Sequence, residues 1–189
     1  MKIRLFVALN IPVEIISEVI SAAKNIAGRN YHLHRWEPPE KIHLTLKFIG
    51  EVEDDLLLPI TSSLKFIESF PQLKCKTTKF GFFYRNNKPA ILWAGLEIDP
   101  EIYLIVSELE KRMEQLGIQK ENKAFKPHLT LLRVRKKVAP DFISEFENHY
   151  IPVKEFYAKT VSLFQSKLLP EGSVYMNLKS FKLKAMEGK

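Results

Sequence analysis

The sequence has a single cysteine, Cys75, in 189 residues. One cysteine cannot form an intrachain disulfide or a cysteine-based zinc site, and such scarcity is typical of proteins in a reducing compartment. No apolar run reaches the length of about 20 residues that a membrane-spanning helix requires. The N-terminal residues 1–9 are too short and too charged for a signal peptide. We therefore expect a cytoplasmic protein with no membrane span.

Acidic residues are the minority among the charged side chains. The chain has 22 Asp and Glu against 29 Lys and Arg, which gives a net charge of +7. This surplus favours polyanionic partners such as nucleic acid, although composition alone is also typical of a solvated basic surface. The basic residues are concentrated at Arg133, Arg135, Lys136 and Lys137.

A tetrapeptide, His-Leu-Thr-Leu (HLTL), occurs twice in the chain, at 43–46 and at 128–131. In a β-strand successive side chains alternate between the two faces, so each copy places its His and Thr on one face and its two leucines on the other. The sequence therefore predicts two strands that each present a polar pair to one side and bury an apolar pair on the other.

The two copies lie at corresponding places in two similar series of predicted elements. Each half has the order strand, helix, linker, HLTL strand, helix and strand, and the last strand of the first half opens the second. Helices that end at Gly28 and at Gly117 form a matching pair. The other predicted elements are a strand over 1–9, helices over 54–70 and 140–148, strands over 73–84, 89–98, 153–166 and 173–183, and a turn over 85–88.

This order of elements predicts an α+β fold that arose by duplication. Helices with an apolar stripe need a sheet to cover, so we expect them on the outer faces of two antiparallel sheets. An approximate twofold axis between two such lobes would bring the HLTL strands together across a central cleft.

Two histidines in one cleft are suited to general acid–base catalysis, because an imidazole pKa near 6.5 allows one ring to be neutral and the other protonated around neutral pH. The threonine hydroxyls on the same faces are neutral donors that can bind an anionic oxygen. His43, Thr45, His128 and Thr130 together therefore predict a catalytic site for a tetrahedral anion such as phosphate.

Two other interpretations compete with this one. A single His-x-Thr in a strand is usually structural, but packing alone would preserve the leucines and leave the His and Thr free to differ. A metal site is the other chemical alternative, but neither copy has an acidic residue or a cysteine at ligand spacing. We therefore expect a catalytic anion site with no metal and no other cofactor.

The sequence resembles the 2H phosphoesterase superfamily, and within it the RNA 2′,3′-cyclic phosphodiesterase family, also called 2′-5′ RNA ligases. The resemblance extends over essentially the whole chain. The segments that carry it are 4–8 (RLFVA), 43–51 (HLTLKFIGE), 127–133 (PHLTLLR), and Gly172 with Tyr175 and Leu178.

This resemblance implies a bilobal fold, a single domain over 1–189 made of two intertwined lobes, and metal-free hydrolysis of RNA 2′,3′-cyclic phosphate ends to a 2′-phosphomonoester. It also implies that His43 is the general acid and His128 the general base, with Thr45 and Thr130 stabilising charge on the nonbridging oxygens. RNA with such ends is then the expected partner. A monomer is expected, because the internal repeat supplies both halves of the site.

Three further residues are predicted to bind substrate: Arg133, Phe82 and Tyr84. Arginine is frequent in the family at the position of Arg133, but this residue lies an odd number of positions after His128 and would point away from the cleft in an ideal strand. Aromatic rings can stack on the bases of single-stranded RNA, although core packing is their more common role. The aromatic candidates are Trp36, Phe82, Phe83 and Tyr84.

Two alternatives to hydrolysis remain open from the sequence. Joining of RNA halves through a 2′-5′ linkage uses the same acid–base pair with a hydroxyl in place of water, and microscopic reversibility prevents the residues from distinguishing the two reactions. A non-catalytic module that binds RNA or nucleotides would keep the fold. Loss of catalysis is expected to remove at least one of the four His and Thr side chains, and all four are present.

Overall fold

The computed structural model describes residues 1–135, 138–170 and 172–185, so the basic residues Lys136 and Lys137 lie outside the described residues. Within these ranges the chain forms eight β-strands and four α-helices. The strands are β1 Lys2–Leu9, β2 Leu44–Glu53, β3 Leu73–Arg85, β4 Lys88–Ile98, β5 His128–Arg133, β6 Glu155–Ala158, β7 Thr160–Leu169 and β8 Gly172–Lys182. The helices are α1 Val13–Ala27, α2 Leu57–Ser63, α3 Glu101–Gln115 and α4 Pro140–Asn148. Short 3-10 helices cover Gly28–Leu33, Pro39–Lys41, Asp54–Leu56 and Leu64–Ser69.

The strands form two four-stranded antiparallel sheets. The first sheet has the order β2-β1-β7-β8 and combines strands from both ends of the chain, and the second has the order β5-β4-β3-β6. Each HLTL strand, β2 or β5, lies at the edge of its sheet beside the strand that opens its half, β1 or β4. The protein is therefore an α+β fold of two similar lobes, which confirms the fold class that the repeat predicts.

The apolar stripes of the helices are buried as their spacing predicts. Fully buried side chains on α3 are Ile102, Ile105, Leu109 and Met113. Each such side chain contributes about 1.5–3 kcal/mol by leaving water. The helix α3 contacts β2, and α4 packs on β3. None of the helices formed by the described residues is long and apolar enough to cross a membrane.

Local turn and helix-end signals are confirmed by the backbone. Asn86 and Asn87 have φ angles of 50° and 58° and join β3 to β4, as expected for the left-handed residues of a tight hairpin. Gly28 and Gly117 follow α1 and α3 with φ angles of 50° and 78°, a conformation that costs glycine little because it has no Cβ.

Two predicted elements differ in the structure. The strand expected over 153–166 is divided at Lys159 into β6, which pairs with β3, and β7, which pairs with β1. The reason is that alternation indicates a strand but not the sheet that the strand joins. The helix expected over 54–70 is an α-helix only in α2 and is 3-10 on both sides, because a few buried residues at helical spacing suit either helix type.

A buried ion pair connects the first HLTL strand to the second half of the chain. Lys47 on β2 donates from Nζ to Glu110 Oε2 on α3 at 2.7 Å and to the carbonyl of Gln119 at 2.7 Å. The same Glu110 oxygen accepts the backbone N–H of Glu121 at 3.1 Å. Because breaking a buried pair leaves an uncompensated charge, these contacts fix the linker that leads to β5.

Candidate active site

The polar and apolar halves of each HLTL copy separate as the strand alternation predicts. The four leucines are buried: Leu44, Leu46, Leu129 and Leu131. The histidine and threonine of both copies are half-buried and line one cavity of about 400 Å³. The fold thus brings the two copies from separate sheets to a common space.

A β-bulge interrupts each HLTL strand at its last leucine. On β2, Thr45 pairs with Ala8 while Phe48 pairs with Phe6, so four residues of β2 oppose three of β1. Ala8 and Phe6 are two residues apart on β1 and therefore share a face. Thr45 and Phe48 must share that face as well, because the extra residue, Leu46, shifts the alternation.

The bulge in β5 is equivalent and resolves the odd spacing of Arg133. Thr130 pairs with Trp93 and Arg133 pairs with Ile91, with Leu131 as the extra residue. Arg133 therefore returns to the face of Thr130, and it lines the cavity. An ideal strand would have directed this guanidinium away from the cleft.

His43 is packed between aromatic rings. Its ring stacks on Phe6 at 4.8 Å between centroids, with the rings 25° from parallel. Tyr175 on β8 meets the imidazole edge-on at 5.5 Å. The carbonyl of Lys41 accepts a hydrogen bond from the imidazole. These contacts hold the ring in one orientation and leave it little water.

His128 has the corresponding carbonyl partner but a different aromatic neighbour. Its Nδ1 lies 2.7 Å from the carbonyl oxygen of Lys126, and since a carbonyl only accepts, Nδ1 carries a proton and Nε2 is the acceptor of the neutral ring. Phe83 meets the imidazole edge-on at 4.8 Å. In both copies the histidine is therefore oriented by the backbone carbonyl of a lysine two positions earlier.

The environment lowers the pKa of both imidazoles. Burial lowers the pKa of His43 to about 4; the positive charge of Arg133 acts in the same direction, as does His128 when it is protonated. Burial also lowers the pKa of His128, again with a contribution from Arg133. Both rings are neutral at pH 7 in the ligand-free cavity, so either can accept a proton.

Most of the charged side chains that line the cavity are cationic. The cationic side chains are Arg4, Arg35, Lys41, Arg133 and Arg135. Glu37 is the one acid among the described residues of the lining, and it accepts a hydrogen bond from Nε of Arg133 at 3.2 Å. Its backbone N–H donates to the carbonyl of Leu131, the bulge residue, at 2.8 Å. Glu37 thus connects the Arg133 side chain to the backbone of the bulge.

The predicted base-stacking residues on β3 lie outside the cavity lining. Phe82 is buried at 7% exposure and contacts the rings of Phe142 and Phe146 on α4. Tyr84 is exposed, and its hydroxyl donates to Glu147 at 2.8 Å. Packing of α4 on β3 engages that face, so neither side chain reaches the cavity, and their role in substrate binding stays a prediction.

The other two aromatic candidates are already in contact with the protein. Trp36 lines the cavity, but its ring stacks on Tyr31 at 4.6 Å and its Nε1 donates to the Tyr31 carbonyl at 2.8 Å. Phe83 packs against His128 and Trp93. Several lining residues had no role assigned from the sequence, among them Arg4, Phe6, Glu37 and Phe48. The even spacing of Arg4 and Phe6 on β1 was the available signal for the first two.

Within the part of the chain that the structure describes, no three His, Cys, Asp or Glu side chains are grouped so that they could hold a metal ion. The polar groups that line the cavity include the two imidazoles, the hydroxyls of Thr45 and Thr130, and guanidinium groups. Such groups can exchange protons and bind an anion.

Comparison with known proteins agrees with this chemistry. The chain matches the family model described as LigT like Phosphoesterase over residues 9–93 and 96–175. It is 30% identical over 182 residues to an RNA 2′,3′-cyclic phosphodiesterase of Methanocaldococcus jannaschii, which covers 94% of this chain and 99% of that protein. It is also 30% identical over 194 residues to an RNA 2′,3′-cyclic phosphodiesterase of Thermus thermophilus, covering 98% of this chain and 93% of that protein.

Solved structures show the same fold. A crystal structure of a Thermus thermophilus protein has a TM-score of 0.81 at 24% identity, covering 97% of this chain and 100% of the other. Escherichia coli LigT, crystallised with 3′-AMP, has a TM-score of 0.78 at 23% identity, covering 97% of this chain and 99% of the other.

Proposed function

Because the chain belongs to the LigT-like phosphoesterase family, we propose that it hydrolyses the 2′,3′-cyclic phosphate at RNA ends to a 2′-phosphomonoester. The observation that carries the proposal is the convergence of both His-x-Thr pairs and Arg133 on one cavity. The names of the curated relatives support the choice of RNA cyclic phosphate as substrate. The two lobes act as one domain, since each contributes one His-x-Thr pair.

The proposed reaction uses the two histidines in opposite roles. His128 accepts a proton from the attacking water, whose oxygen forms the new bond to phosphorus. The P–O3′ bond breaks, and His43 delivers a proton to O3′, so the phosphate remains on O2′. Thr45 and Thr130 donate hydrogen bonds to the nonbridging oxygens, where charge develops, and Arg133 provides the positive charge. No metal takes part in this mechanism.

The acid role of His43 requires that it gain a proton with the substrate. In the ligand-free cavity its pKa is about 4, so the ring is neutral near pH 7. A phosphodiester carries a negative charge, and a negative charge within about 4–6 Å favours the protonated imidazole. Binding therefore raises the pKa of His43 towards the range in which it can act as an acid.

The deciding experiment uses purified protein treated with EDTA and an oligonucleotide that ends in a 2′,3′-cyclic phosphate. We expect turnover that is unaffected by EDTA, with a product that carries only a 2′-monophosphate. An oligonucleotide with a 3′-monophosphate end serves as the control for contaminating phosphatase. Absence of turnover would refute the proposed activity, and turnover that EDTA abolishes would refute the metal-free mechanism.

A further inference from the structure

Phe48 is an exposed aromatic ring in a cavity that is otherwise cationic and polar. Its side chain is 43% exposed and lines the cavity. The bulge at Leu46 directs it there, on the face that carries Thr45. The guanidinium of Arg4 lies over the ring, 4.8 Å from its centroid, which restrains the ring by a cation–π contact.

The other aromatic side chains of the cavity have their rings engaged. Phe6 is 3% exposed beneath His43, Trp36 stacks on Tyr31, and Tyr175 contacts both Phe6 and His43. Among the described residues, Phe48 contacts no other aromatic ring, and its partner is the guanidinium of Arg4. Phe48 is thus the lining ring with a surface available to a ligand.

The equivalent place in the second copy holds an arginine. Phe48 and Arg133 both follow the bulge of their strand and both return to the cavity face. A phosphate can contact both halves of a twofold site alike. The nucleoside attached to that phosphate, by contrast, lies on only one side of the site. The aromatic ring and the guanidinium therefore distinguish the two sides of the cavity.

We propose that Phe48, restrained by Arg4, is the platform on which the base of the terminal nucleotide stacks, so that the nucleoside lies on the His43 side of the cavity. This inference rests on the proposed function and identifies the base subsite of the same cavity. Stacking on an aromatic face is tolerant of base identity, so the subsite accepts any of the four bases.

The direction of the reaction agrees with this placement. Formation of a 2′-phosphomonoester breaks the P–O3′ bond, and water must attack roughly opposite O3′. The ribose that carries O3′ is then on the side of the general acid, His43. Phe48 is on the same strand as His43 and is the cross-strand neighbour of Phe6, which stacks on His43. The water approaches from the side of His128 and Arg133.

The test compares two substrates that have the same reacting ester. Adenosine 2′,3′-cyclic phosphate carries a base, and methyl riboside 2′,3′-cyclic phosphate carries a methoxy group in its place. For Phe48→Ala we expect KM to rise about 10-fold for the adenosine ester, with kcat little changed and no change in either constant for the methyl riboside. Phe48→Trp should retain the KM of the wild-type protein for adenosine. Tyr157→Ala removes a ring of similar exposure, 39%, that lies outside the cavity lining, and should change neither constant for either substrate.

The outcomes separate this inference from the proposed function. Equal losses on both substrates would overturn the platform, because they would show that Phe48 supports the reacting groups. An unchanged KM for adenosine in Phe48→Ala would overturn it as well. Absence of turnover by the wild-type protein on either ester would refute the activity. In that case the platform would be tested by binding alone, from the Kd values of adenosine 2′-monophosphate and methyl riboside 2′-phosphate for wild-type and Phe48→Ala protein. Weaker binding of adenosine 2′-monophosphate only would support the platform, and any other result would overturn it.

Discussion

The two HLTL strands share a backbone geometry but differ in what surrounds their histidines. Each lies at the edge of its sheet, is bulged at the last leucine and orients its histidine with a lysine carbonyl. His43 is stacked on Phe6 and followed by Phe48 at the cavity face. His128 meets Phe83 only by an edge and is followed by Arg133. The duplicated strands thus have the same geometry, and the different neighbours of each copy distinguish the two sides of the cavity.

The difference continues on the buried faces of the two strands. Lys47 pairs with Val7 next to the first bulge, and Leu132 pairs with Leu92 at the same place in the second copy. Lys47 forms the buried ion pair with Glu110, whereas Leu132 is an ordinary core residue. The ion pair is therefore a feature of the first copy alone, and it attaches β2 to the linker that precedes the second.

Removal of each histidine in turn should have the largest effect on activity and tests whether the two copies have different roles. His43→Ala and His128→Ala should each lower kcat on the cyclic ester by about 1,000-fold, a loss within the range for general acid–base groups. A phosphodiester with a p-nitrophenolate leaving group needs no protonation of that group. Relative to wild type, His43→Ala should therefore recover most of its activity on this ester, while His128→Ala stays inactive. Recovery by His128→Ala instead would reverse the two roles.

Substitutions of the two threonines test whether both His-x-Thr pairs bind the anion. Thr45→Val and Thr130→Val each keep the shape and remove one hydroxyl donor, so we expect kcat to fall by about 100-fold in each variant. Thr45→Ser and Thr130→Ser retain the donor and should keep most of the activity. Steady-state rates on the cyclic ester measure all four variants. A Val variant that turned over at the wild-type rate would show that the anion is held from one side only.

Replacement of Arg133 should give the smallest change and tests how its charge acts on the two histidines. Arg133→Gln should raise KM roughly 10-fold, because one charged hydrogen-bonding partner of the phosphate is lost. Since the charge of Arg133 lowers the pKa of both histidines, its removal should raise them and move both limbs of the kcat/KM profile to higher pH. Arg135→Gln is the matched control, because Arg135 lines the same cavity but is not a cause of either shift. A shift to lower pH, or an equal shift in Arg135→Gln, would contradict this account.

Local features could be predicted from the sequence because they depend on residues that are adjacent along the chain. The Asn86-Asn87 turn and the end of α3 before Gly117 require only a backbone angle that those residues adopt. The assignment of β6 and β7 to different sheets depends on remote partners, β3 and β1. Alternation in the sequence cannot contain that information.

The aromatic residues predicted to bind substrate also depend on remote contacts that the sequence does not show. Phe82 and Tyr84 were reasonable candidates because aromatic rings stack on bases. Whether a ring is available depends on what packs on it, and α4 contacts Phe82 through Phe142 and Phe146. Phe48, by contrast, is open to the cavity through the bulge before it.

The sequence was sufficient to predict that the His and Thr of each HLTL copy lie together on one face, because alternation along a strand is local and holds wherever the strand lies. That Arg133 and Phe48 also face the cavity, and that the two histidines have unlike neighbours, depends on the tertiary fold. The orientation of a residue beyond a bulge depends on register with the adjacent strand. That register is set by β1 and β4, which are distant in the chain from the residues that they direct.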